Sequence, residues 1–235
     1  MTAPLTATVL LGGVAALDAG PVAQTLLSQP LVTATVLGLL WNDLPLALSV
    51  GVVLQILAAT TLPVGSRTPE DYAVGGVIGV ALALLLAQQQ PYSVARDGCA
   101  LVGVLVGMIA ATAGVPLLKW QRRRNEGLSH WCEAELLAGR ERSLGQAQAA
   151  GVVLAFGVGV SYTAACLAVG TGVLLGAVST ESIWLARAWT FAQPLWIGLG
   201  LAQLLHAFVQ RRPLRVAVFG AALFVTWILL MVGSV

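Results

Sequence analysis

The stretch VGVVLQILAATTLPVGSRTPEDYAVGG, residues 50–76, carries the strongest indication of how this chain folds. Two apolar runs flank a polar centre in which Pro63, Gly65 and Pro69 interrupt any helix. Non-helical backbone is tolerated at membrane depth only where protein buries it or where it lines a cavity. The pattern therefore predicts a polar site at a break between helices, although an ordinary surface loop would show the same composition.

The composition indicates an integral membrane protein. Of the 235 residues, 58% are hydrophobic and 9% are charged, and the mean hydropathy is +0.88. Soluble domains carry about 25% charged residues. The net charge of +2 is too small to indicate nucleic acid binding. Cys99, Cys132 and Cys166 lie far apart and predict free thiols rather than a disulfide framework.

The apolar segments predict an all-α, polytopic helical bundle that forms a single membrane domain over residues 1–235. In residues 1–71, the pieces 5–17, 31–41 and 44–61 are short compared with the roughly 20 residues that cross a bilayer. They predict broken or re-entrant helices in the N-terminal third. The regions 72–118 and 147–235 contain the predicted spanning helices, at 72–87, 98–118, 151–178, 183–209 and 214–232.

Basic residues predict the orientation of the chain. They cluster in the connection 119–146 and again at 210–215, and two predicted spans separate these clusters, so both lie on one side. The excess of Lys and Arg predicts that this side is cytoplasmic. Apolar residues recur at helical spacing in 127–142, which predicts an amphipathic helix at the cytoplasmic interface. Such a helix either simply connects two spans or docks a soluble partner.

The sequence offers no pattern typical of a metal site or of covalent catalysis. His130 and Cys132 are two residues apart and so do not face each other on a helix. No second ligand pair completes a tetrahedral site. Neither a GxSxG sequence nor a Walker A sequence occurs. We therefore expect no metal, no cofactor and no enzymatic activity in this chain.

Polar side chains in apolar surroundings remain as candidates for a solute site. Gln55 lies inside an apolar run and Asp71 follows the prolines, while Asp43 precedes another apolar segment. Amide oxygens and carboxylates suit a polyhydroxylated solute, because its hydroxyls both donate and accept. An alternative role for Gln55 is an interhelical hydrogen bond worth about 1 kcal/mol.

The sequence resembles the membrane subunit IIC of the mannose/fructose/sorbose class of the bacterial sugar phosphotransferase system. Residues 28–58 and 62–76 carry the resemblance, which extends over essentially the whole chain. The residues that stand at matching positions are Pro30, Leu31, Val32, Gly38, Asp43, Gly51, Gly65, Pro69 and Asp71.

This resemblance implies a multi-pass subunit in the bacterial inner (plasma) membrane that works in a hetero-oligomer. It implies pairing with a homologous membrane subunit IID, and sugar movement by sliding of a core domain against a scaffold. It further implies soluble IIA and IIB partners that relay phosphate through histidines, with IIB phosphorylating the sugar at the cytoplasmic face. The IIC chain itself then carries no phosphohistidine.

We therefore expect a permease subunit that carries a hexose or amino sugar inward for phosphorylation. The expected substrate-binding residues are Gln55, Thr61, Gly65, Asp71 and Asp43. Gln55 and Asp71 would bind sugar hydroxyls, and Gly65 would allow close backbone approach. Asp43 is a candidate for the same site, with capping of a broken helix as its alternative role.

Three departures from the family pattern bear on the substrate. Gln55 replaces a glutamate, so a charged acceptor becomes an amide. Thr61 and Pro63 stand where mannose-type members carry Trp and Asn, and Glu70 replaces the second proline of the loop. Two alternatives follow, a non-transporting membrane scaffold or sensor derived from the family, and an unrelated permease for a small polar solute.

Overall fold

Helices account for all regular secondary structure in the part of the chain that the structure describes. The computed structural model describes residues 2–20, 22, 24–59, 68–89, 93–180, 182–209, 211, 213–214, 216–221 and 224. This confirms the all-α prediction. Within these ranges the helices are α1 (Thr2–Ala19), α2 (Pro30–Leu40), α3 (Leu44–Ala58), α4 (Tyr72–Gln88), α5 (Ser93–Ala113), α6 (Val115–Leu137), α7 (Arg142–Thr180) and α8 (Ser182–Phe208).

The antiparallel pair α4 and α5 forms the centre of the bundle. α4 is apolar on every side, and nearly all of its residues are buried against neighbouring helices. Glycines let the two backbones approach closely, since a Cβ added to Gly79 would lie 2.5 Å from the carbonyl oxygen of Gly103. The start of α4 at Asp71 is therefore held on a rigid element.

Two short helices, α2 and α3, form a hairpin with a tight turn. At 11 and 15 residues, they measure about 16 Å and 22 Å, which is shorter than a bilayer-spanning helix. Asn42 makes the turn with a φ of +59°, and Asp43 caps α3 by accepting a hydrogen bond from the Leu46 amide. α2 and α3 are thus separate short helices, while a broken or re-entrant arrangement in a membrane stays a prediction.

Among the described residues, two continuous helical stretches are long and apolar enough to cross a membrane, judged by length and composition. They are Arg96–Leu137, which joins α5 to α6 around Gly114, and Arg142–Thr180. They contain the predicted spans 98–118 and 151–178. α4 and α8 lie at the positions predicted for 72–87 and 183–209, and their crossing of a membrane remains a prediction. Most of 214–232 lies outside the described residues. The division of the chain into functional regions remains a prediction.

The predicted amphipathic segment 127–142 is the second half of α6 together with the turn that follows it. The helix ends at Leu137, and Gly139 adopts a left-handed φ of +79° that glycine favours. Arg140 then reaches back to Glu135, with Nη2 donating to Oε1 at 2.7 Å. This hydrogen bond lowers the pKa of the Glu135 carboxyl. α6 is therefore a longer helix than the sequence predicted, and it leads directly into α7.

Candidate functional site: a polar cavity at the base of the hairpin

A cavity of about 500 Å³ lies where five helices bring their ends or flanks together. It is bordered by the end of α1, the start of α2, the end of α3, the start of α4 and the first half of α6. This volume falls within the range of about 300–1,000 Å³ typical of small-molecule sites. The polar and charged residues among those that line it are Ser28, Gln29, Glu70, Asp71, Tyr72, Gln121, Arg122 and Asn125.

Asp71 lies in the wall of this cavity and caps α4. Its Oδ1 accepts a hydrogen bond from the Val74 amide at 3.2 Å. Its own amide donates to the Ala111 carbonyl of α5 at 2.9 Å. One side-chain oxygen and the backbone are therefore fixed by the two central helices. The structure places this predicted residue at a cavity that could receive a solute.

Gln55 lies near the end of α3 and contacts the start of α2. Its Oε1 accepts from the Leu31 amide at 3.2 Å, and its Nε2 donates to Gln29 Oε1 at 2.7 Å. Both ends of its amide thus bind protein, as the interhelical alternative proposed. We name this contact of Gln29, Leu31 and Gln55 the hairpin base. Gln29 lines the cavity, and Gln55 contacts Gln29 without lining the cavity itself.

Asp43 lies at the opposite end of the hairpin. Gln55 follows Asp43 by twelve positions along the chain, which corresponds to about 18 Å of helix. Its carboxylate caps α3 and forms an ion pair with Arg96 of α5. Beside it, the buried Trp41 donates from Nε1 to Thr8 Oγ1 at 2.9 Å. We name Trp41, Asn42 and Asp43 the hairpin tip, which lies apart from the cavity.

Thr61 and Gly65, the other two predicted residues, lie outside the described residues. The described residues on either side of them nevertheless line the cavity, with Ala58 before the gap and Pro69 after it. Asp71 lines the cavity and Gln55 contacts Gln29, which also lines it, whereas Asp43 lies at the other end of the hairpin. Their roles in binding a substrate remain predictions.

A buried carboxylate, Asp18, organises the loop that carries Ser28 and Gln29 to the cavity. Oδ1 accepts from the Thr25 amide at 2.5 Å and from the Thr25 hydroxyl at 2.7 Å, while Oδ2 accepts from the Ser28 amide at 2.8 Å. Such a set of donors satisfies a buried carboxylate within the protein. Asp18 follows an apolar run of the sequence, and in the structure it holds the loop in place.

Sequence reasoning missed the contribution of α6 to the cavity. Gln121, Arg122 and Asn125 line it, and Arg122 Nη1 also donates to Thr68 Oγ1 at 3.2 Å. Asn125 Oδ1 is buried and has no hydrogen-bond partner among the described residues. The signal available was the spacing of four residues between Gln121 and Asn125, which puts both on one helix face. The basic residues around them had been interpreted only in terms of orientation.

The lining groups can bind hydroxyl-rich molecules. Carboxylates accept hydrogen bonds, Arg122 donates them, and amides do both. Within the described ranges, no three His, Cys, Asp or Glu side chains come together in a group suited to a metal ion. The cavity thus presents hydrogen-bonding chemistry at the junction of several helix ends.

Comparisons with known structures agree with this architecture. One chain, described only as "Structure of membrane protein", superposes with a TM-score of 0.67 at 16% identity, covering 97% of this chain and 96% of that chain. Another, from the cryo-EM structure of the mannose transporter ManYZ in complex with microcin E492, gives a TM-score of 0.61 at 16% identity. That match covers 97% of this chain and 95% of the other. At these identities the likeness shows the fold.

The sequence itself matches one family model over nearly its whole length. No match was found among curated proteins. The family model, described as the sorbose-specific IIC component of the phosphotransferase system, matches residues 5–234. Components of this kind are membrane transport subunits, and other components of the system phosphorylate the sugar. The chain therefore belongs to the family of sorbose-specific IIC components, the sugar permease subunits of the phosphotransferase system.

Proposed function

We propose that the cavity at Asp71 is the site at which this IIC subunit receives a hexose or amino sugar. The observation that carries the proposal is the cavity itself, about 500 Å³ in volume and lined by carboxylate, amide and guanidinium groups. In a chain with only 9% charged residues, such a concentration of polar groups at a helix junction is costly unless it serves binding.

Asp71 is the central residue of the proposed site. Its Oδ1 is partly committed to the Val74 amide, yet a carboxylate has about four acceptor positions on two oxygens. The remaining positions can accept from sugar hydroxyls. Thr61 and Gly65 belong to the same proposal. Ala58, which precedes them in the sequence, and Pro69, which follows them, both line the cavity.

The proposed direction of transport is inward, toward the side on which α6 lies. Gln121, Arg122 and Asn125 line the cavity and belong to the basic connection 119–146. We infer that this connection and residues 210–215 face the cytoplasm of a bacterial cell, because membrane proteins keep Lys and Arg in cytoplasmic loops. The cavity would then lie near the cytoplasmic end of the bundle, where a IIB partner phosphorylates the sugar.

We further infer that the hairpin of α2 and α3 is re-entrant and that the chain works in a hetero-oligomer. Both helices are too short to span, and the tip and base belong to one compact unit packed against α4. A membrane subunit IID and soluble IIA and IIB subunits are the partners that the family relationship suggests. They would supply the second half of the permease and the phosphoryl groups.

Substitution of Asp71 tests the proposed site. The complete complex with IID is reconstituted in liposomes, and phosphorylated IIB is supplied on the cytoplasmic side. Uptake of labelled mannose, fructose, sorbose and glucosamine is measured for the wild type, for Asp71→Asn, which can still cap α4, and for Asp71→Ala. We expect at least tenfold slower uptake by both variants, with normal membrane insertion.

Two outcomes would contradict the proposal in different ways. Uptake at the wild-type rate by both Asp71 variants would remove the cavity from consideration as the sugar site. Failure of the wild-type complex to bind any of the four sugars would favour a non-transporting scaffold or sensor. Asp43→Asn is the control for Asp71→Asn, because Asp43 also caps a helix. Asp43 lies about 18 Å along α3 from Gln55 and does not line the cavity.

A further inference from the structure

Two glutamine side chains at the hairpin base form a chain of hydrogen bonds whose direction is fixed by the backbone. The Leu31 amide can only donate, so the Gln55 atom that contacts it must be the carbonyl oxygen Oε1. Gln55 therefore turns its Nε2 toward Gln29, and the Gln29 atom at 2.7 Å must be the acceptor Oε1. One backbone N–H thus sets the orientation of both amides.

This arrangement leaves the Nε2 group of Gln29 as the uncommitted end of the chain. Gln29 precedes α2 at the N-cap position, but its side chain does not cap the helix. It lines the cavity together with Asp71, and its Nε2 donates no hydrogen bond to another described residue. The cavity therefore receives a donor from Gln29 and an acceptor from Asp71.

We propose that Gln29 contacts the sugar by donating from Nε2 to a hydroxyl oxygen, and that Gln55 is a positioning residue that holds Gln29 in this orientation. The proposal rests on the proposed function of the cavity. A sugar hydroxyl accepts one hydrogen bond while donating another, so a donor and a carboxylate in one cavity suit the same ligand. Gln55 then affects binding without touching the sugar.

The amide character of Gln55 is essential to this arrangement. Gln55→Glu keeps the acceptor for the Leu31 amide but removes the donor to Gln29. The carboxylate would instead accept from Gln29 Nε2, which turns Gln29 Oε1 toward the cavity. An acceptor would then replace the donor at the sugar. We expect Gln55→Glu to weaken sugar binding at least as strongly as Gln29→Ala, although the hairpin base remains fully hydrogen-bonded.

A double-mutant cycle separates the two roles. Equilibrium binding of labelled mannose, fructose, sorbose and glucosamine is measured with the purified complex containing IID. The variants are Gln29→Ala, Gln55→Ala, the double variant and Gln55→Glu, with Gln148→Ala of α7, which does not line this cavity, as the control. Loss of one hydrogen bond predicts binding about three- to tenfold weaker for Gln29→Ala. Because Gln55 acts through Gln29, the double variant should equal Gln29→Ala alone.

Other outcomes would contradict separate parts of the proposal. Unchanged binding by Gln29→Ala excludes the contact with the sugar, and additive effects of the two alanines mean that Gln55 binds the sugar directly. Thermal stability is measured for every variant. Gln55→Glu tests whether the direction of the hydrogen bond between residues 55 and 29 matters, because it reverses that bond while the hairpin base keeps all its hydrogen bonds. If Asp71→Ala abolishes binding while Gln29→Ala does not, only this inference fails. If Asp71→Ala also binds normally, the proposed sugar site fails as well.

Discussion

The two ends of the α2–α3 hairpin differ in what their polar groups contact. At the hairpin tip, Asp43 binds the Leu46 amide and Arg96, and Trp41 binds Thr8. At the hairpin base, Gln55 is bound at both ends, but Gln29 lines a cavity and keeps a donor there. The polar groups of the hairpin tip that are named here bind other protein groups, whereas the hairpin base keeps a hydrogen-bond donor available to a ligand.

The same local signal has opposite surroundings at Asp43 and Asp71. Each aspartate directly precedes an apolar helix and accepts a hydrogen bond from the amide three residues later. This is the usual behaviour of an N-cap residue. The two aspartates differ only in their tertiary contacts: Asp43 forms an ion pair with Arg96, whereas Asp71 lines the cavity. An aspartate that directly precedes an apolar helix therefore predicts an N-cap, and tertiary contacts are needed to predict a binding site.

The largest effect is expected from a change that separates the two helices of the hairpin. A Cβ added to Gly51 would lie 2.2 Å from the Ala34 Cβ, so the close approach of α3 to α2 requires glycine. Gly51→Leu should destabilise the protein by about 3 kcal/mol or more, at the upper end of overpacking effects. Size-exclusion chromatography of the detergent-solubilised protein should show loss of most of the monodisperse peak.

The matched control for this change is Gly145→Leu near the start of α7. No atom lies within 4 Å of a Cβ added there, and leucine is a better helix former than glycine. The Gly145→Leu protein should elute as the wild type does. Equal monodisperse yields for both variants would mean that α2 and α3 can move apart without loss of the fold. The hairpin could then not be treated as one rigid unit with a distinct tip and base.

An intermediate effect is expected at the tip from Trp41→Phe. This change keeps an aromatic ring but removes the Nε1 donor to Thr8, leaving a buried hydroxyl with fewer partners. Hydrogen bonds between membrane helices contribute about 0.6 kcal/mol on average. We expect a small fall in melting temperature, similar to that of Thr8→Val, and unchanged sugar uptake. Reduced uptake at wild-type stability would assign the tip a role in transport.

Much of the fold could be predicted from the sequence because it depends on local patterns. The predicted apolar pieces 31–41 and 44–61 correspond to α2 and α3, and the interruption at Pro69 precedes the start of α4 at Tyr72. Proline and capping aspartates act over a few residues, so their effect can be inferred without tertiary knowledge. The extent of α6 was missed, because its polar second half was interpreted as a separate short helix.

The candidate site was only partly predictable, since it is assembled from distant parts of the chain. Asp71 could be found from its position after the break, but Gln121 and Asn125 join it only through the packing of α6. From the sequence, the replacement of the family glutamate by Gln55 could be interpreted only as the loss of a charged acceptor. In the structure the amide donates to Gln29, which a carboxylate could not do, so the replacement suits its neighbour.

The smallest effect is expected from Arg96→Gln, which removes the ion pair at the tip. The Arg96 side chain is 47% exposed and that of Asp43 is 18% exposed, so water screens much of their attraction. Exposed ion pairs contribute about 0–1 kcal/mol, and Asp43 keeps its hydrogen bond to the Leu46 amide. The melting temperature should change little, and sugar uptake should stay within about twofold of the wild-type rate. If uptake instead fell as far as in Asp71→Asn, the tip would take part in transport, and the distinction between a closed tip and an open base would be wrong.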